Sequence, residues 1–128
     1  MKDPEIRLVL DTSAIVAYAA TSIDVGETIA EVVDEGGRFG APVVCLAEAA
    51  RLVDESLLAG VTLLTRHSSC VVLPTLAEDW LALAAWTRVL GRVDLAVALV
   101  EATDRPAGYV LSAEREAYGE DDVPVIGA

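Results

Sequence analysis

The chain has 128 residues, 54% of them apolar, a mean hydropathy of +0.49 and a formal net charge of −12. Its length and apolar content describe one folded domain over residues 1–128 and exclude a disordered chain, and no apolar run reaches the roughly 18–20 residues of a membrane-spanning helix. Twenty-one acids against nine bases oppose non-specific polyanion binding, which depends on Lys and Arg contacts to phosphate.

The segment Met1 to Glu5 carries no signal-peptide apolar stretch and leads directly into a strand, so the expected compartment is the cytoplasm. Leu8 to Leu10 reads as a buried strand, Asp11-Thr12-Ser13 as a polar turn, and the apolar periodicity after it as a helix. A second helical pattern, Thr28 to Glu35, is stopped by Gly36-Gly37. Gly40-Ala41-Pro42 starts a strand, Val43 to Cys45, which passes into a helix from Leu46 to about Leu58 carrying Glu48. Gly60 to Thr65 reads as a further short apolar helix or turn.

Cys70 to Leu73 is a third strand closed by Pro74, and apolar residues at helical spacing then run from Leu76 to Leu90 before Gly91. Asp94 opens a helix from Leu95 to Thr103 that ends before Arg105-Pro106. Gly108 to Leu111 is the fourth strand, followed by Ser112, Glu114 and a short helix through Tyr118. Val123 to Ile126 is the last strand, which Pro124 assigns to a sheet edge. Strands alternating with helices of these lengths specify an α/β domain with a parallel sheet covered on both faces.

Cys45 and Cys70 lie in apolar stretches and read as small buried hydrophobes. His67, the single histidine, reads as a solvated loop residue, so no zinc-type ligand set is present. Trp80 and Trp86 read as core or interface anchors.

Four acids fall just beyond strands or near helix starts: Asp11, Glu48, Asp94 and Glu114. Each has a structural reading. Asp11 or Ser13 caps the first helix, Asp94 caps its own, and Glu114 favours a first-turn dipole. Glu48, among Leu46, Ala47, Ala49 and Ala50, is hardest to explain this way. Carboxylates brought within about 4 Å repel by about 4 kcal/mol per pair at an effective dielectric of about 20, unless they share protons or hold a cation. With oxygen ligands alone, the expected cation is Mg2+ or Mn2+.

Leu10-Asp11-Thr12-Ser13-Ala14, Leu46-Ala47-Glu48, Val93-Asp94-Leu95-Ala96-Val97-Ala98 and Leu111-Ser112-Ala113-Glu114 together resemble the PIN-domain family of metal-dependent ribonucleases, which includes the VapC-type toxins. The resemblance implies a three-layer α/β/α sandwich around a mostly parallel five-stranded sheet. It implies a Mg2+ or Mn2+ site of Asp11, Glu48, Asp94 and Glu114, with Thr12, Ser13 and Ser112 positioning water or substrate. One departure stands out: Ser112-Ala113-Glu114 occupies the place where the family usually has Thr, any residue and Asp. The added methylene extends the fourth acid by about 1.5 Å. Arg88, Arg92 and Arg115 are candidate phosphate contacts, or solvated arginines on helix faces.

The leading expectation is therefore an RNA-cleaving toxin restrained by an antitoxin protein, with a homodimer burying surplus apolar surface. The rival is a PIN-like domain that binds a protein partner without cutting, motivated by the −12 charge and by Glu114. A phosphoacceptor receiver domain is set aside. It would want an acid directly after the third strand and a late lysine, where this chain has Pro74-Thr75 and no lysine beyond Lys2.

Overall fold

A computed structural model describes residues 5–106, 108–120 and 122–128. Five strands, β1 (Ile6–Leu10), β2 (Arg38–Pro42), β3 (Cys70–Leu73), β4 (Tyr109–Ser112) and β5 (Val125–Gly127), form an all-parallel sheet in the order β3-β2-β1-β4-β5. Six helices, α1 (Thr12–Ala19), α2 (Ile23–Asp34), α3 (Val43–Leu52), α4 (Glu55–Thr65), α5 (Trp80–Leu90) and α6 (Val93–Thr103), complete a three-layer α/β/α arrangement. β1 is central because its residues Leu8, Val9 and Leu10 are apolar and fully buried, as a parallel strand covered on both faces requires. Among the described residues no helix is long and apolar enough to cross a membrane.

The chain moves outward from β1 to β2 and β3, then returns across them to β4 and β5. The two halves diverge between β1 and β4, and the crevice beyond the carboxyl ends of these strands is where such sheets place ligands. Leu10 pairs with Leu111, and Asp11 N–H donates to Leu111 O at 3.2 Å. Asp11 and Ser112 therefore leave the sheet side by side.

Several elements differ from the sequence reading. The second strand occupies 38–42, and Val43, Val44 and Cys45 already belong to α3. In this register Gly40 lies against β3, where an added Cβ would meet the Leu73 side chain at 2.5 Å and that side chain would have to shift. The β-branched pair is overridden by the fit of Cys45 and Ala49, one turn apart and fully buried.

The expected helix Leu46 to Leu58 is two helices. Asp54 breaks it by capping α4, accepting from Leu57 N–H at 3.0 Å and from Ser56 Oγ at 2.6 Å. Gly60 to Thr65 is the continuation of α4, and α2 begins five residues before the expected Thr28, capped by Ser22. Asp94 does not cap its helix: Arg92 holds the cap position and Asp94 lies in the first turn. The short helix through Tyr118 is a 3-10 turn, Arg115–Tyr118. β5 is an edge strand, with Pro124 immediately before it. Trp86 packs against the core, whereas Trp80 is exposed.

Candidate functional site

Asp11 is the N-cap of α1, and none of its surface is exposed. Its Oδ1 accepts from Ala14 N–H at 2.9 Å and from Ser13 Oγ at 2.7 Å. Its Oδ2 accepts from the Tyr118 hydroxyl at 2.8 Å. Burial, with the Asp11 charge beside it, pushes the Tyr118 phenol far above its ordinary value, so it remains a donor.

The two serines form a relay across β1 and β4. Because Ser13 gives its proton to Asp11, the 3.3 Å contact between Ser13 and Ser112 must be donated by Ser112. Ser13 Oγ also accepts from Ala113 N–H at 2.9 Å, and Ser112 Oγ accepts from Glu114 N–H at 3.0 Å. The hydroxyls thus fix the loop after β4 against the start of α1.

Asp94 is buried in the first turn of α6. Its Oδ2 accepts from Thr12 Oγ1 at 2.7 Å and from Arg92 Nη2 at 2.8 Å, while Oδ1 accepts from Arg92 Nε at 3.1 Å. Arg92 Nη1 reaches Glu114 Oε1 at 2.7 Å. One guanidinium therefore bridges a carboxylate of α6 and the one that follows β4. Burial raises the Asp94 carboxyl, but the Arg92 and Thr12 hydrogen bonds and the Arg92 charge outweigh it and hold the group below its ordinary value. Hydrogen bonds and charge from Asp94 and then Glu114 raise Arg92 against the opposing effect of its burial.

Glu48 is half-buried on α3 and pairs with Arg51, whose Nε donates to Oε2 at 3.1 Å. That hydrogen bond is the main reason its carboxyl lies below the ordinary value; the charges of Asp94 and Arg92 also reach it. Thr12, Ser13, Val16, Glu48, Leu52, Arg92 and Glu114 line an open cleft of about 450 Å3. Asp11 and Asp94 are not on its walls and are reached through Ser13, Thr12 and Arg92.

The four acids and three hydroxyls singled out from the sequence are accordingly grouped around one end of β1 and β4. The arginines divide. Arg92 belongs to the cluster but is turned onto Asp94 and Glu114. Arg88 lines a different depression with Leu81, Ala84 and Ala85 on α5. Arg115 is a structural residue, its Nε donating to Val125 O at 3.1 Å and its Nη1 to Gly119 O at 2.9 Å, which ties the 3-10 turn to β5. His67 is not a free loop residue: its Nδ1 accepts from Ser69 N–H at 3.0 Å and its ring meets Phe39 edge-on at 5.1 Å.

Tyr118 and Arg51 are the site residues that sequence reading missed. Arg51 had a signal, since Glu and Arg three apart on a helix are neighbours. Tyr118 had none, because its partner is 107 positions away. Cys45, fully buried, donates to Asp94 O at 3.4 Å, and burial pushes its thiol far up.

The donor chemistry fits a hard divalent cation: carboxylates and hydroxyls, with no imidazole and the neighbouring thiol engaged elsewhere. Among the described residues, no three acidic, His or Cys side chains converge as a preformed ligand group. Two of the four acids share a guanidinium instead. No model of a known protein family matches the chain, and no curated protein matches it significantly.

Proposed function

We propose that this protein is a Mg2+- or Mn2+-dependent ribonuclease of PIN type that acts as the toxin of a toxin–antitoxin pair. The observation that carries this reading is the grouping of Asp11, Glu48, Asp94 and Glu114 with Thr12, Ser13 and Ser112 where the sheet's two halves diverge. The motif resemblance, which rests on these same residues, agrees with it. Asp11, Glu48, Asp94 and Glu114 are the residues that would hold the cation. Such a cation lowers the pKa of water and stabilises charge on a phosphodiester.

The chain's own contribution is positional. Tyr118, Ser13 and the Ala14 amide fix the Asp11 carboxylate, and Thr12 fixes Asp94. Ser13 stands on the cleft wall with its proton on Asp11 and its lone pairs on Ala113 N–H and Ser112, so it holds the Asp11 carboxylate and the loop after β4 in place. With a net charge of −12, RNA binding in this reading comes through a local site, a metal or a basic partner instead of a general basic surface. The exposed Trp80, Leu81 and Val89 of α5 offer an apolar face for an antitoxin or a second copy of the chain.

The test is cleavage of RNA in Mg2+ or Mn2+ by the wild type and by Asp11→Asn. The expected outcome is loss of cleavage with an unchanged circular-dichroism spectrum; cleavage that survives in pure Asp11→Asn overturns the assignment. A second reading, a non-cutting domain that binds a protein partner, is favoured by the Arg92 bridge, which gives two of the acids a partner already. Failure to bind Mn2+ saturably at millimolar concentration would select it.

A further inference from the structure

We propose that Arg92 is an internal counter-cation that competes with the divalent metal for Asp94 and Glu114, so that metal enters only when this guanidinium swings away. The proposal rests on the metal-site reading above and concerns how that site is regulated.

Three observations carry it. First, all three guanidinium nitrogens of Arg92 donate to these two acids: Nε and Nη2 to Asp94, Nη1 to Glu114. With Thr12 also on Oδ2, three of the roughly four lone-pair sites of the Asp94 carboxylate are taken. Both lone pairs of Oδ2 are used, so a cation bound at that oxygen and the arginine in this position exclude each other.

Second, Arg92 can leave. Its side chain is 42% exposed, at the cleft wall. Asp94 by contrast is buried and keeps its Thr12 bond. Third, the backbone does not favour the arginine where it stands. Arg92 occupies the N-cap position of α6 without making a side-chain cap, and the positive end of a helix dipole opposes a cation there. The acids hold Arg92 in place, so satisfying them with another cation removes the reason for it to stay.

An occupied site lowers apparent affinity by the fraction of molecules in the competent state. Removing the occupant should therefore tighten Mn2+ binding by about tenfold or more. The experiment is isothermal calorimetry with Mn2+ alone on wild type, Arg92→Ala, Arg92→Gln and the double variant Arg92→Ala/Asp94→Asn, with thermal unfolding of each with and without Mn2+.

The expected result is tighter binding in both single variants and loss of that gain in the double variant. The single variants should also melt lower than wild type without metal and recover with Mn2+. If a single variant folds only in the presence of Mn2+, that rescue supports the proposal; absence of rescue in both variants overturns it. Equal Mn2+ affinity in wild type and both variants overturns the competition while leaving the metal site standing. No Mn2+ binding by any of the proteins overturns the competition and the metal site together.

Discussion

Tyr118 donates a 2.8 Å hydrogen bond to Oδ2 of Asp11, joining the 3-10 turn after β4 to the cap of α1 across 107 positions of sequence. Both residues are buried, so this bond has no solvent substitute. It fixes one carboxylate oxygen while Ser13 and Ala14 fix the other.

Removing that donor tests the arrangement. Tyr118→Phe preserves the ring and leaves Oδ2 of a buried carboxylate without its partner, at a cost of about 1.5–3 kcal/mol. Urea unfolding should show a lower midpoint with an unchanged slope. A variant as stable as the wild type would mean that the bond contributes nothing net.

Gly60 tests the packing of α4 on α1. A glycine inside a helix normally loses up to about 1 kcal/mol relative to alanine. Here a Cβ would lie 2.8 Å from Ala19 Cα and 2.9 Å from Ala19 O, both backbone atoms that cannot turn aside. Forcing the two helices apart costs about 1–3 kcal/mol, which outweighs the propensity gain. Gly60→Ala should therefore destabilise in thermal unfolding. Stabilisation would show that the helices separate freely.

The acid limb of stability follows from the ion pair at Asp94. Its folded carboxyl lies below the ordinary value of 3.8 because Arg92 and Thr12 outweigh its burial. A depressed carboxyl contributes stability that is present above its unfolded value and is lost as pH falls through its folded value. Stability from this pair is thus intact at pH 7 and declines below about pH 4. Relief of the −12 self-repulsion on acidification works in the opposite direction, but it acts on wild type and Asp94→Asn alike. Urea midpoints at pH 7, 4 and 3 should fall more steeply between the last two for wild type. Parallel curves would remove Asp94 as the cause.

Much of the site was legible in advance because its parts are local. Asp11-Thr12-Ser13 follows an apolar strand directly, and a carboxylate there caps a helix whatever else it does. The cap reading of Asp11 holds, and the same carboxylate also takes the Tyr118 hydroxyl beside the other acids and hydroxyls. Asp94 was placed at the start of the right helix but given the wrong local role, since its carboxylate turns to Thr12 and Arg92 and not to its own backbone. Arg88, Arg92 and Arg115 could not be told apart by sequence, because arginine's reach exceeds the spacing of helical positions. The structure gives them three different destinations.

The sequence by itself determined the alternation of strand and helix, the edge position of the last strand, and which acids stand at the strand ends. These depend on hydrophobic periodicity and on Gly, Pro and Asp as local punctuation, and each acts within a few residues. Only the tertiary structure decided where β2 lies, that α3 and α4 are separate, and which donors the acids face. The reason is distance. Gly40 answers to Leu73, Tyr118 to Asp11, and Arg92 to Glu114, contacts that exist only once the sheet has ordered its strands 3-2-1-4-5.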